Sequence, residues 1–465
     1  MLTALSKKNP FRKKRSGVRK PRKAVRRQLF NLANPIFVET LLIMLTGATD
    51  VFMLSRYSDE TVAAGGVVNQ LLNLVFILYG ITTLGTSVLC SQYLGARQKK
   101  NVAQVIGVSL IVNLAVGFLV SAGLFLFAAP SLRLMGLEET LVGYGVSYMK
   151  IVGGFSFLQA LCMTISAVLR SHNKAYYPMF VTLVINLLNI AGNYILIFGN
   201  FGAPRLGITG AGISTSFSRL VALGLLFYLL FRKVTPVPPL RFFKPFPWDK
   251  VKNLLLVGLP AAGEQVSYNF SQVMITYFSV LLGNAALTAR TYAMSIVMFS
   301  YVFSIALGNG AAIAAGHLIG KERDNAAFSL EKYAVRLAMI VTVCISVLTA
   351  LMGTDIFKLL TSDPEVIALG AAVLYVDILL EIGRAVNIVS VDTLIAAGDV
   401  MYPFWTGVIV MWLVATLGAY VLGVWWGWSL VGIWLAMALD ELVRAAVFER
   451  RWKSRKWETK AFTRR

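Results

Sequence analysis

Charged residues are scarce in this sequence. They make up 14% of its 465 residues, whereas 57% are hydrophobic; a soluble protein carries roughly 25% charged residues. Apolar stretches of about twenty residues recur from Leu29 to Val447, each long enough to cross a bilayer of roughly 30 Å. They do not alternate with polar residues as barrel strands do. The sequence therefore predicts an all-α polytopic membrane protein.

Cysteine and histidine are also rare, with three and two residues. The cysteines are scattered through apolar runs, which predicts neither a disulfide framework nor a metal site. The segment "GHLIGKE" (316–322) lacks the spacing and the Ser or Thr of a nucleotide-binding phosphate loop. We therefore expect no enzymatic activity and no cofactor. No apolar signal-peptide core precedes the first long run.

Basic residues give the chain a formal net charge of +22. The stretch from Lys7 to Arg27 has the composition of a nucleic-acid-binding arm, or of a cytoplasmic tail that lies against anionic lipid. We favour the tail, with membrane lipid and not nucleic acid as the partner.

The apolar runs predict twelve transmembrane helices in the plasma (inner) membrane. With the N-terminus inside, 35 of the 44 lysines and arginines fall in the tails and in alternate loops, the cytoplasmic ones. The positive-inside rule thus places both termini in the cytoplasm. The predicted spans are 29–55, 63–93, 103–128, 141–168, 177–199, 210–231, 254–282, 286–317, 335–358, 366–393, 403–424 and 430–448.

The chain repeats itself at an offset of 225 residues. Pro35 corresponds to Pro260, Glu39 to Glu264, and Arg219 to Arg444, with no gap in between. Such a repeat indicates duplication. Because each half holds six predicted spans, both halves enter the membrane with the same polarity, as in parallel-repeat transporters. The predicted domains are a basic cytoplasmic tail (1–28), an N-lobe (29–231), a cytoplasmic linker (232–253), a C-lobe (254–448) and a second basic cytoplasmic tail (449–465).

Several segments resemble the multidrug and toxic compound extrusion (MATE) family. "NPIFVETLLIMLTGATDVFMLSRYS" (34–58) is similar to its first span, and "SQYLGARQKKNVAQ" (91–104) and "GHLIGKERDNA" (316–326) to two of its loops. "EIGRAVNIVSVDTLIAAGDVMYP" (381–403) resembles its tenth span and the loop beyond. The resemblance implies a two-lobed, V-shaped exporter of organic cations, driven by inward proton or sodium flow.

Asp50 lies near the middle of the first apolar run. Inserting an ionised Asp there costs roughly 2.5–3.5 kcal/mol. Protonating it at pH 7, from a reference pKa near 3.9, costs about 4 kcal/mol. Since the two costs are similar, the residue is suited to exchange charge with a proton, a sodium ion or a cationic compound. Alternatively, Asp50 bonds a neighbouring helix and only stabilises packing.

Amides form a second polar stripe at residues 186, 189 and 193. The resemblance implies that Asp50, Asn189, Asn193 and Thr215 form an ion-coupling site, and that the first three are sodium ligands. Some family members carry Asp in place of Asn193, so the ion remains proton or sodium. Amides that serve only in packing between helices also explain the stripe, without an ion site.

Further acids are secondary candidates for coupling. Glu39 lies on the face of Asp50 and near the cytoplasmic end, where it can also snorkel or cap, and Glu264 is its repeat counterpart. On the tenth predicted span, Asp377, Glu381 and Arg384 follow one another at spacings of 4 and 3 residues, which predicts that they share one face of the helix. This arrangement favours a structural ion pair over a coupling site. The secondary acidic candidates are Glu39, Glu264, Asp377 and Glu381. The predicted structural ion pairs are Glu381 with Arg384 and Asp440 with Arg444; no partner is predicted for Arg219.

Taken together, these features favour a monomeric, ion-coupled antiporter that exports amphipathic, cationic compounds. The alternative is a flippase for lipid-linked precursors or polysaccharide, which requires several unpaired arginines around its cavity to hold a pyrophosphate. A third class, a membrane tether that works through its basic tails, predicts that function is lost without residues 1–28.

Overall fold

The computed structural model describes residues 22–234 and 244–464, and within them the chain is helical apart from its loops. The first half contains α1 (Lys23–Ser55), α2 (Asp59–Gly95), α3 (Lys99–Leu126), α4 (Ala128–Leu134), α5 (Glu139–Val152), α6 (Ser156–Ser171), α7 (Tyr176–Phe198) and α8 (Ile208–Lys233). The second half contains α9 (Trp248–Leu281), α10 (Asn284–Gly320), α11 (Asp324–Leu351), α12 (Gly353–Leu360), α13 (Pro364–Ala396), α14 (Met401–Val410, continued by π-helical turns to Trp425) and α15 (Ser429–Lys453).

Helix ends recur at the offset of the sequence repeat. Helices α2 and α3 begin and end 225 residues before α10 and α11, to the residue. One departure concerns the predicted span 141–168: α5 and α6 are bent by 44° at the break between them, whereas α13 is continuous. Gly153 and Gly154 lie at the break, where the second half has Ile378 and Leu379, and paired small residues are a usual cause of sharp bends.

Nine helices of the described residues are long and apolar enough to cross a membrane, or ten with the bent pair. Helices α9 and α15 are not among them. Three charged residues lie within about one turn of α15, at 440, 441 and 444. Each predicted span overlaps one of the helices above. The bounds of the predicted span 335–358 are wrong, because α11 ends at Leu351 and the separate α12 follows.

Buried apolar residues form clusters of two kinds. Two clusters contain residues of both halves and lie towards the end of the bundle that carries the loops at 96–98, 172–175 and 321–323, which we call the basic end. The two others, towards the opposite end, each draw on one half only. The halves are therefore packed together at the basic end.

Two glycines of the repeat lie where the halves meet. A Cβ at Gly95 would overlap the carbonyl oxygen of His317, and a Cβ at Gly320 would overlap that of Gln92. The two contacts exchange under the 225-residue offset, so the halves are related here by an approximate two-fold axis. Only glycine permits this approach of two backbones.

The predicted terminal segments are partly described. Residues 1–21 and the linker residues 235–243 lie outside the described residues, and α1 already begins at Lys23. The segment predicted as a C-terminal tail packs on the protein: Trp452 and Trp457 stack at 4.2 Å and Phe462 is buried. The Phe462 N–H donates to Gln92 Oε1 at 2.8 Å, which links this segment to the first half.

Candidate functional site: two charged cavities

Each half contributes charged side chains to a partly open cavity of its own. The cavity of the first half, about 400 Å³ in volume, is lined by residues of α1, α2, α6, α7 and α8, including Asp50; we call it the Asp50 cavity. The cavity of the second half, about 520 Å³, is lined by residues of α9, α10, α13, α15 and others, including Glu264; we call it the Glu264 cavity. Both volumes are in the range of small-molecule sites.

The four residues predicted to form the coupling site lie together in the first half. Asn193 Nδ2 donates to Asp50 Oδ1 at 2.6 Å and approaches Asn189 Oδ1 at 3.3 Å. Asn189 Nδ2 in turn donates to Thr215 Oγ1 at 3.2 Å. One chain of hydrogen bonds therefore connects α1, α7 and α8.

Close packing of α7 on α8 positions this chain. A Cβ at Gly192 would clash with the Ser214 hydroxyl, and that hydroxyl donates to the Asn189 carbonyl at 2.9 Å. Because 189 and 193 are one turn apart, both amides face the same neighbours. Asn186 lies one turn further along the stripe and donates instead to the Leu42 carbonyl at 2.7 Å, so it is not part of the chain.

The site keeps one buried oxygen atom that no described residue satisfies. Asn193 is fully buried, and its Oδ1 has no hydrogen-bond partner in the described part of the chain. Among the described residues, the Asp50 carboxylate accepts one side-chain hydrogen bond, from Asn193 to its Oδ1. Buried polar atoms are nearly always satisfied, so an orphan amide oxygen beside a carboxylate points to a missing partner. Carboxylate and amide oxygens are ligands that hard cations prefer, and the residues present fit a sodium ion or a proton-bearing group.

Glu39 is not a snorkelling residue. It is 5% exposed, and Arg170 Nη2 on α6 donates to its Oε1 at 2.9 Å, so the carboxylate is paired inside the Asp50 cavity. Its Oε2 has no hydrogen-bond partner among the described residues. The interpretation of Glu39 as a side chain that only snorkels or caps is therefore wrong.

The charged residues predicted to pair in the second half do so. Arg384 Nη1 lies 2.5 Å from Glu381 Oε1, and Arg444 Nη2 lies 2.5 Å from Asp440 Oδ2. Glu441 joins the two pairs, with its Oε1 at 3.0 Å from Arg444 Nη2 and 3.7 Å from Arg384 Nε. This network spans α13 and α15 and is buried on every member.

The two remaining predicted acids, Asp377 and Glu264, both lie in the second half, the first outside the Glu264 cavity and the second in its lining. Asp377 is buried outside the residues that line the Glu264 cavity and accepts a hydrogen bond from Trp434 Nε1 at 3.1 Å. Glu264 lines that cavity on α9, and its carboxylate touches the backbone of α14, where a Cβ at Gly407 would lie 2.7 Å from Oε1.

Sequence reasoning missed Arg170, Asp392 and Glu441. Asp392 lines the Glu264 cavity on α13 and has no hydrogen bond or ion pair with the described residues. The sequence carries a signal for Asp392, since "VSVDTLI" places this acid in an apolar run, as Asp50 is placed in another. Glu441 lies three residues before Arg444, which is also a readable pairing distance. Arg170 had no such signal because its partner is on another helix.

Comparison with known proteins decides the family. The MatE family profile matches residues 35–195 and 260–421, and the two matches begin 225 residues apart. This chain belongs to the MATE family. It is thus a transporter and a multi-pass membrane protein, as the sequence predicted, and not an enzyme.

Relatives of the MATE chain cover almost its whole length. It is 39% identical over 92% of its residues to the uncharacterized transporter YisQ of Bacillus subtilis, and covers 94% of that protein. It is 24% identical over 94% of its residues to the probable multidrug resistance protein NorM of Thermotoga maritima, again covering 94%. A crystal structure of MATE in the bent conformation superposes with a TM-score of 0.86 at 20% identity, over 94% of this chain and 98% of that one. The fold is therefore that of MATE structures.

Proposed function

We propose that this MATE transporter is an antiporter that exports amphipathic, cationic compounds from the cytoplasm in exchange for inward movement of protons or sodium ions. The observation that carries the proposal is the arrangement at Asp50: one membrane-embedded carboxylate, a buried orphan oxygen on Asn193, and a cavity beside them.

All twelve predicted spans cross the plasma (inner) membrane in this proposal, as two six-helix lobes with both termini in the cytoplasm. The distribution of basic residues supports this orientation, because the basic end then faces the cytoplasm. Helix α15 tolerates its charges inside the membrane because Asp440 and Glu441 are paired with Arg444. In this proposal the transporter works as a monomer.

Asp50 is the group that couples the two flows. When a proton or a sodium ion binds there, the carboxylate is neutralised, and a cationic compound loses its attraction to the cavity. When the ion leaves, the negative charge is available to cargo again. Asn189 and Asn193 supply neutral oxygens to a sodium ion, and Thr215 orients Asn189 through its hydrogen bond.

Alternating access comes from rocking the halves so that they part at one end of the bundle while they pack together at the other. The clusters that contain residues of both halves lie towards the basic end, whereas those towards the other end belong to single halves. This is an outward-open arrangement if the basic end is cytoplasmic. The linker at 232–253 connects the halves on that side.

Cargo chemistry is supported by the cavities and by relatives. The NorM relative of Thermotoga maritima is named a probable multidrug resistance protein. Apolar and aromatic groups such as Phe76 and Met163 line the Asp50 cavity together with its acids, which suits an amphipathic cation. Arg384 and Arg444 are both paired with carboxylates, which speaks against a flippase that holds a pyrophosphate on free arginines.

The test is dye efflux from loaded vesicles with the proton and sodium gradients imposed separately. We expect a cationic dye to leave faster when one inward gradient is present, and the ion responsible is identified by which gradient acts. Efflux that ignores both gradients contradicts the antiporter. The matched control for a substitution of Asp50 is Asp377→Asn. This variant also removes a buried acid, but from the second half and from outside the Glu264 cavity.

A further inference from the structure

Two equivalent hydrogen bonds join the halves at the basic end. Gln92 Nε2 on α2 donates to the Ala396 carbonyl on α13 at 2.7 Å. The counterpart of Gln92 under the 225-residue offset is His317 on α10, whose Nε2 lies 2.7 Å from the Ser171 carbonyl oxygen on α6. Because a carbonyl oxygen only accepts, His317 Nε2 is the donor. Each half therefore donates a hydrogen bond from a corresponding side chain to the backbone of the other half.

A segment of the second half reaches one of these two side chains. Residues 456–464, which we call the strap, follow α15 as two short 3₁₀ turns, Lys456–Thr459 and Phe462–Arg464. The Phe462 N–H donates to Gln92 Oε1 at 2.8 Å. Phe462 is 5% exposed and belongs to a buried apolar cluster whose other members come mostly from the first half. The strap therefore buries its phenyl ring mainly against the first half.

Other contacts hold the strap to the second half. Arg464 Nη2 donates to Asp324 Oδ1, at the start of α11, at 2.7 Å. Trp457 is fully buried and stacks on Trp452 of α15. A Cβ at Gly398, in the loop between α13 and α14, would overlap a carbonyl oxygen of the strap, so the two backbones touch there. When the halves part at the basic end, the strap therefore stays with the second half and Phe462 leaves the first.

We infer that the strap is a latch, which stabilises the packed arrangement of the halves at the basic end and must release Gln92 before this end opens. Release exposes the Phe462 ring and removes one hydrogen bond from a buried amide oxygen, and both losses arise only when the halves part. The inference rests on the rocking of the halves in the proposed function, but not on the coupling ion or the cargo.

The inference is tested by the distance between spin labels on the two halves, measured by electron paramagnetic resonance in lipid nanodiscs. The labels are placed on Leu134→Cys and Leu359→Cys in a background without the three natural cysteines. These two positions correspond under the offset, and both are exposed at the end opposite to the basic end. Opening of the basic end brings the labels closer together. Phe462→Ala should raise the ratio of the short-distance to the long-distance population about tenfold or more, and an unchanged ratio would overturn the inference.

Two further variants separate a latch from a general loss of stability. Phe278→Ala is the matched control, because Phe278 is 8% exposed and belongs to a cluster confined to the second half. It should leave the ratio within about twofold, and a shift equal to that of Phe462→Ala would overturn the inference. Arg464→Gln loosens the strap at a partly exposed ion pair and should raise the ratio about twofold to fivefold.

Hydrogen exchange of the strap gives the reciprocal test. Gly258→Ala forces the halves apart at another contact, because its Cβ would overlap the Ile81 carbonyl oxygen of the first half. Since linkage is reciprocal, the peptide that contains Phe462 should then exchange faster, by about the factor by which the short-distance population rises. Parted halves with unchanged exchange of this peptide would overturn the inference.

Failure of the latch and failure of the rocking motion give different results. If Gly258→Ala produces the short distance and Phe462→Ala does not, the halves rock and the latch is wrong. If no variant produces the short distance, the rocking motion of the proposed function is wrong, and the latch with it.

Discussion

Gly320→Ala perturbs the contact on which the packed arrangement of the halves depends. A Cβ at Gly320 would lie 2.9 Å from the Ala96 nitrogen and from the Gln92 carbonyl carbon, and nearer still to the Gln92 carbonyl oxygen. Real side chains keep at least 3.0 Å from such atoms. Overpacking of this kind costs roughly 1–3 kcal/mol. Because the clash exists only while the halves touch, the equilibrium should shift towards separated halves by about fivefold to about a hundredfold.

Alkylation of Ser91→Cys measures this shift in a background without the three natural cysteines. Ser91 is 1% exposed and lies against Gly316 of the other half, so a charged maleimide reaches it only when the halves part. Gly320→Ala should raise the alkylation rate by the factors above. Gly224→Ala is the control, since no atom lies within 4 Å of its Cβ position. Equal rates for both variants would refute the described contact between the halves.

Two further predictions concern the cavities. Asn193→Ala removes the 2.6 Å hydrogen bond to Asp50 and the orphan oxygen, so the ion concentration for half-maximal efflux should rise about tenfold. The control Asn186→Ala should leave that concentration unchanged, because Asn186 bonds the Leu42 carbonyl instead. Equal effects of the two substitutions would show that Asn193 does not belong to the site. Glu441→Gln leaves two arginines incompletely neutralised in the interior and should destabilise the protein by roughly 3–5 kcal/mol, seen as a lower unfolding temperature in detergent. Glu139→Gln, in an exposed ion pair, should not lower it, and similar losses for both would show that the buried network contributes little.

Much of the fold follows from hydropathy and from the repeat. Helix ends recur at the offset that Pro35, Glu39 and Arg219 revealed, because similar residues at corresponding positions pack in the same way in each half. The bend at Gly153 was not predicted, since the apolar run continues across it. Packing of the C-terminal segment was missed because its positive charge outweighed the signal of its tryptophans.

Only part of the site could be predicted. Asp50, Asn189 and Asn193 were found through helical spacing together with the family resemblance, and the hydrogen bonds among them follow from one-turn spacing on α7. The pairing of Glu39 with Arg170 could not be predicted, because 131 residues separate them and helix periodicity says nothing about which helices touch. That Arg219 lines the Asp50 cavity without forming an ion pair among the described residues also required the structure, since the cavity draws on several helices.

Competition at Asp50 is the most direct test of the account. The measurement is the affinity of a cationic dye, the methyl ester of a rhodamine, for the purified transporter as the concentration of protons or of sodium ions is raised, in the wild type and in Asp50→Asn. The account predicts that the ion weakens dye binding to the wild type in proportion to its occupancy, and that Asp50→Asn binds the dye weakly whatever the ion concentration. Dye affinity that does not change with either ion in the wild type, or that falls equally in Asp50→Asn, would contradict it.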